Sequence, residues 1–161
     1  MTRDQLLNNV DKIAAADLAS VVDRSVIVGL AKIAEHAPSA AQTVVPVHAD
    51  CHWGNWLVSD HEVTALLDFE WARFGEPVDD WVFLVRFSGP HQASVLGLIS
   101  DATTTPRDEL RAKCEVREAA YLTSDLLIAL RKHEPSSAET LGILRDLEDL
   151  VVKREWTRRA E

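Results

Sequence analysis

The sequence predicts an α+β fold, mostly helical, with a small β insertion in its first half. Three observations lead there. Apolar residues recur at helical spacing before about residue 36 and again after residue 79. Between them lie three short β-branched or apolar runs, "TVVPVH", "NWLVS" and "EVTALLDF". The polar residues able to do chemistry gather at the ends of those runs.

Taken in order, the first helix is marked by Thr2 and Gln5 as a capping box, with Leu6, Val10, Ile13 and Ala14 at helical spacing. A second helix spans about 18–36 and stops near Pro38; it is apolar on most sides, so it is buried on most sides. The run "TVVPVH" is short and β-branched between polar neighbours, which makes it a strand. "NWLVS" and "EVTALLDF" are two more strands joined by the polar turn "SDHE", giving a small three-strand unit, and Trp56 belongs to the core by its place in a strand. Helices follow over about 79–87, 91–100, 106–133 and 136–159. Thr105 before Pro106, with Asp108 three residues past the cap, marks one start; Ser136 and Glu139 mark another. Asp79 is expected to cap its helix, and the helical pair over 106–159 completes the core.

A chain of 161 residues forms one ordinary domain with room for a core. Its 47% apolar and 27% charged residues are average for a globular protein. No apolar run approaches the ~20 residues that span a bilayer. The start "MTRDQLLNNVDK" has polar residues where a signal peptide has its apolar centre, so a cytoplasmic location is expected. Cys51 and Cys114 suggest no disulfide framework, and reduced thiols fit that compartment. A formal charge of −9 argues against a general binder of nucleic acid or anionic membranes. The basic stretch "KREWTRR" is read as cations complementing the end of a helix dipole.

The chemistry concentrates in "HADCHWGN", residues 48–55, and in "LLDFEW", residues 66–71. Loops held at strand ends by a rigid scaffold are where catalytic groups tend to sit. The hairpin between the two segments goes out and returns, so Asp68 comes back beside Asn55. A carboxylate and an amide oxygen form a hard-oxygen set, suited to magnesium held largely through substrate phosphates. Asp50 is then free to orient or deprotonate a nucleophile.

His48-Ala49-Asp50-Cys51-His52-Trp53-Gly54-Asn55 resembles the H-G-D-x-H-x-x-N catalytic loop of the aminoglycoside phosphotransferase and choline kinase superfamily, relatives of protein kinases. Leu67-Asp68-Phe69-Glu70 is similar to that family's I-D-F/W-E metal segment, and Gly75-Glu76-Pro77-Val78-Asp79-Asp80 to its G-D-P-x-x-D segment. Three motifs occur in the family's order at about the family's spacing. The resemblance implies the helical C-terminal lobe of a kinase-like fold, with the β insertion carrying the catalytic and metal loops. It implies Asp50 as the catalytic base, Asn55 and Asp68 as magnesium ligands, and His48 and Asp80 as supports, with Asp80 fixing the loop through hydrogen bonds. Magnesium and a nucleotide, ATP or GTP, are the implied cofactor and co-substrate.

Three departures are small: Ala49 where the family has glycine, Trp53 for a common proline, and Glu76 for an aspartate. The large one is upstream. The 47 residues before His48 read as helices, with Gly29 inside one and Lys12 and Lys32 on helical stretches. A β-rich lobe with a nucleotide-covering loop and a strand lysine is therefore expected to be absent. The resemblance covers about residues 5–130.

Against these roles stand plainer ones. Asp50, Asn55 and Asp68 are residue types that cap turns. His48 and His52 with Asp50 could suggest zinc, yet no second cluster of His or Cys accompanies them. Cys51 lacks an assignable base for nucleophilic work. His52, Glu70 and Trp71 are candidates to face substrate, and Trp53, Trp56 and Trp71 to wall the site. Asp101, Glu115 and Glu118 are expected on a solvated face, the alternative being attraction of a cationic acceptor.

The function expected is transfer of a nucleotide phosphoryl group to a hydroxyl of a small molecule, an aminoglycoside-like compound or a metabolite. Its partner would be a separate chain supplying the nucleotide clamp, or a second copy in a homodimer. Two alternatives stand beside it: a shortened, catalytically silent relative serving as a binding or interaction module, and a fragment of a longer protein.

Overall fold

The computed structural model describes residues 3–15, 21–37, 43–132, 135–152 and 156. Two compact units arise, Met1–Ala40 with Glu115–Arg158 and Ala41–Cys114 with Arg159–Glu161.

In the first unit, α1 (Arg3–Ala15) buries Leu6, Val10 and Ile13, whose spacing of four and three puts them on one face. Helix α2 (Arg24–Glu35) begins later than the predicted 18–36; residues 18–20, like Thr2 and Pro38, lie outside the described residues. Asp23 sets this start, because its carboxylate accepts the Ser25 N–H at 2.7 Å and caps the first turn. Val26, Leu30, Ile33 and Ala34 form its buried stripe. A Cβ on Gly29 would stand 1.8 Å from Val151 Cγ1, so α2 meets α6 (Ala138–Val151) at a distance only glycine permits.

Helix α5 (Arg107–Lys132) starts after Pro106, whose carbonyl accepts the Leu110 N–H, and its inward face carries Ala119, Leu122, Leu126 and Ala129. Helix α6 corrects the predicted capping pair: Ser137, not Ser136, takes the cap position, and its Oγ accepts the Thr140 N–H at 3.2 Å. Glu139 then falls one residue short of the reciprocal position. Residue 133 and the basic stretch, apart from Trp156, lie outside the described residues.

Glu115 and Glu118 correct another expectation. They are only 7% and 2% exposed, on a continuously buried stretch of α5, so they form no solvated face. A buried carboxylate needs a partner, and Glu118 accepts the indole N–H of Trp156. Asp101 is exposed.

The second unit carries the strands. β1 (Val45–Val47) pairs antiparallel with β4 (Arg73–Gly75), and β2 (Trp56–Ser59) with β3 (Glu62–Leu66). Two separate ladders thus replace the predicted three-strand unit. Strand β3 ends at Leu66, because the backbone turns left-handed at Asp68 (φ 60, ψ 63) and Phe69–Trp71 forms a single 3-10 turn. Helices α3 (Val78–Arg86) and α4 (Gln92–Thr103) follow; α4 ends where Thr104 adopts φ 54. Among the described residues, no helix is long and apolar enough to cross a membrane.

Candidate functional site

Strand β1 delivers its buried end, Val47, directly into the loop 48–55. The loop is braced from α3. Asp80 accepts the N–H of His48 at 3.1 Å through Oδ2 and that of Ala49 at 2.6 Å through Oδ1. One carboxylate therefore satisfies two consecutive buried donors. Ala49 needs such a brace, since it is buried with φ 62, a conformation costing a non-glycine residue about 1–2 kcal/mol.

The loop then closes on itself. Asn55 Nδ2 donates to the Asp50 carbonyl at 3.0 Å and to Asp50 Oδ2 at 3.1 Å. His52 N–H donates to the Asp50 carbonyl and Asn55 N–H to the His52 carbonyl, both at 3.0 Å. His52 Nδ1 accepts the Gly54 N–H, and its Nε2 lies 3.7 Å from Asp50 Oδ2. These bonds hold the Asp50 carboxylate in place while leaving it partly exposed.

The second segment is attached at two points. The β2–β3 register pairs Trp56 with Leu66, and Leu67 N–H donates to the Asn55 carbonyl at 2.8 Å. His48 Nε2 lies 2.7 Å from the Leu67 carbonyl. A carbonyl only accepts, so Nε2 is the donor there; among the described residues the buried Nδ1 has no hydrogen-bond partner. The His48 ring also packs against Phe69, centroids 4.6 Å apart. Asp68 is thereby set one residue beyond the contact with Asn55, exposed and making no capping hydrogen bond.

Asp79 lies inside the first turn of α3 rather than at its cap, which falls on Pro77. Its carboxylate reaches back to accept the Glu76 N–H at 2.9 Å and pairs with Arg73 at 3.3 Å. A Cβ on Gly75 would stand 2.5 Å from Asp79 Oδ2 and 2.9 Å from Val47 Cγ2, so glycine is required where β4, β1 and α3 converge. Glu70 and Trp71 sit exposed on the 3-10 turn, and the Trp71 carbonyl accepts from Arg73 at 3.3 Å. Trp53 is exposed and Trp56 half-buried.

Burial pushes the Cys51 thiol up from its ordinary pKa, the charges of Asp80 and Asp50 add to that, and the Trp56 indole only partly offsets it. A protonated thiol is a poor nucleophile.

Among the described residues, no group of three or more His, Cys, Asp and Glu side chains converges to hold a metal unaided. The donor set instead fits magnesium bound mostly by phosphate and water. With the Asn55 nitrogen committed to Asp50, its oxygen is the end that would meet a cation, and the exposed Asp68 makes no capping hydrogen bond.

The structure brings His48, Asp50, His52, Asn55 and Asp80 into one hydrogen-bonded cluster, with Asp68 beside it; it ties neither Glu70 nor Trp71 to that cluster. Sequence reasoning passed over Phe69, which packs on His48, and Phe87, whose ring lies 5.4 Å from that of His52. Phe69 lies inside the 67–70 segment and Phe87 ends the predicted helix 79–87, but nothing in their spacing signals a contact with a histidine.

The sequence model of the phosphotransferase enzyme family (APH) matches residues 3–113. Among solved structures, the fold is similar to that of a macrolide 2'-phosphotransferase type I, with a TM-score of 0.59, 17% sequence identity and 91% of this chain covered. The chain spans 48% of that structure's length. A comparison with curated proteins finds no match.

Proposed function

Since the chain belongs to the phosphotransferase enzyme family, we propose that it transfers a nucleotide phosphoryl group to a hydroxyl of a small molecule, using the C-terminal lobe of a kinase-like fold. The observation that carries this reading is the braced loop: Asp80 holding His48 and Ala49, and Asn55 holding Asp50.

Asp50 accepts the proton as the acceptor oxygen bonds to the terminal phosphorus of the nucleotide and the bond to the leaving diphosphate breaks. Asn55 orients that carboxylate through Nδ2 and offers Oδ1, with Asp68, to magnesium. Magnesium supplies charge neutralisation on the phosphate oxygens. His48 ties the loop to the 66–71 segment, and Asp80 keeps its backbone in register. His52, Glu70 and Trp71 are the side chains proposed to meet the acceptor. Turnover calls for a nucleotide-gripping lobe, supplied by a further part of a longer protein, a separate chain or a second copy, and a nucleotide-rich compartment such as the cytoplasm. The second reading is a catalytically silent module that keeps the acceptor pocket.

The two readings part on Asp50→Asn. In a phosphoryl-transfer assay the variant should lose ~10²–10⁴-fold in turnover with nucleotide affinity nearly unchanged. Full turnover would remove Asp50 from the base role, and nucleotide binding by neither protein would favour the module.

A further inference from the structure

An open cleft of about 490 Å³ lies in the second unit; Phe87 on its wall packs against His52, whose Nε2 is 3.7 Å from Asp50 Oδ2. Its walls are Trp53, Trp56, Leu84, Phe87, Pro90 and Val95, with Ser88 and His91 as its polar edges. No carboxylate lines it. The volume is that of a small-molecule site.

The cleft is pre-formed. Ser88 Oγ donates to the Leu84 carbonyl, and Gln92 Nε2 donates to the Arg86 carbonyl at 3.0 Å, fixing the turn that leaves α3. Gly89, at φ 53, allows the chain to double back there. Phe83 and Phe87 stack at 6.0 Å and 4°, and the Arg86 guanidinium stands 5.8 Å from the Phe87 ring.

Trp53 is the unexplained residue. It is 70% exposed, in a loop whose other groups are tied down, and its indole adds to no core. A large exposed aromatic beside a concave apolar wall marks a binding surface. His52 links that wall to the base, 5.4 Å ring to ring from Phe87 and 3.7 Å from the Asp50 carboxylate. A molecule stacked on Trp53 and Phe87 can thus present a neighbouring hydroxyl towards Asp50. Among the described residues that line the cleft none is a carboxylate, and the Arg86 cation stands against the Phe87 ring of its wall, which disfavours a polycation.

We infer that this cleft is the acceptor subsite and that the acceptor carries a neutral apolar or aromatic face next to its reactive hydroxyl. The inference rests on the phosphotransfer reading for the identity of the occupant, but its test does not. The chain is titrated with 2-naphthylmethanol, a neutral aromatic alcohol, by NMR without magnesium or nucleotide, and kanamycin serves as a polycationic competitor. Saturable shifts at the Trp53 indole N–H are expected, and kanamycin should not displace them. Trp53→Ala, at an exposed site that leaves the fold intact, should weaken binding at least tenfold by saturation transfer. Phe74→Ala, an exposed aromatic on β4, should change it less than twofold. Equal affinity in Trp53→Ala, no saturable binding at all, or preference of these signals for kanamycin would overturn the subsite. Intact probe binding with no phosphoryl transfer even when a nucleotide-gripping lobe is supplied would sink the phosphotransfer reading and leave the apolar subsite standing.

Discussion

The loop 48–55 and the turn 68–71 are neighbours in one unit, yet they are held in opposite ways. In the loop, Asp80 accepts two backbone N–H groups, Asn55 donates twice to Asp50, and His48 is 6% exposed. In the turn, Asp68, Glu70 and Trp71 are exposed, and the attachment runs through Leu67 and the Phe69 ring. The difference fits the roles proposed for them. A base has to be aimed before its substrate arrives, whereas a metal carboxylate must keep its lone pairs unspent. On that proposal the loop is the braced half of the site and the turn the half a ligand would complete.

Removing the brace should erase the contrast most strongly. Asp80→Ala leaves the N–H groups of His48 and Ala49 without their acceptor in a half-dry setting, a loss of about 3 kcal/mol in denaturant unfolding. Turnover should fall with it, because Asp50 is no longer aimed. Unchanged stability would mean the loop is held by something other than Asp80.

A smaller change sharpens the comparison. Ala49 and Asp68 both adopt positive φ, but only Ala49 is buried within the braced loop. Ala49→Gly should raise stability by about 1 kcal/mol, relieving the left-handed strain. A destabilised variant would show that the loop depends on the alanine methyl.

The smallest effect concerns pH. The Cys51 thiol is pushed up in the folded chain, so the folded form resists ionisation more than the unfolded one. That contribution is fully present below the ordinary thiol pKa and is lost as pH rises through the folded value. Wild type should accordingly lose stability relative to Cys51→Ala on passing into the alkaline range, and parallel curves would contradict the raised pKa.

Much of this was legible beforehand, for local reasons. The stripe of α1 follows from side-chain period, the start of α5 from Pro106, and β1, β2 and β3 from short β-branched or apolar runs between polar residues. The rest depended on contacts between distant residues. Strand β4 is three residues long, "RFG", and exists because Val47 has Arg73 across from it. The end of β3 depends on the left-handed backbone of Asp68, a choice that no local pattern announces. Glu118 looks solvated until Trp156, 38 residues later, supplies its donor. In the site, the motif residues were readable as types, but the work of Asp79 was not: its carboxylate holds the turn before α3 and pairs with Arg73 instead of capping.

The central claim is that the open turn at Asp68 completes a magnesium-phosphate site beside a loop already set. Calorimetric titration with ATP, with and without magnesium, on wild type and Asp68→Ala tests it most directly. The account predicts saturable, magnesium-dependent heat in wild type that vanishes in the variant, while the variant's unfolding free energy stays within about 0.5 kcal/mol, as expected for an exposed side chain. Equal binding by both proteins, binding indifferent to magnesium, or no binding by wild type would contradict it.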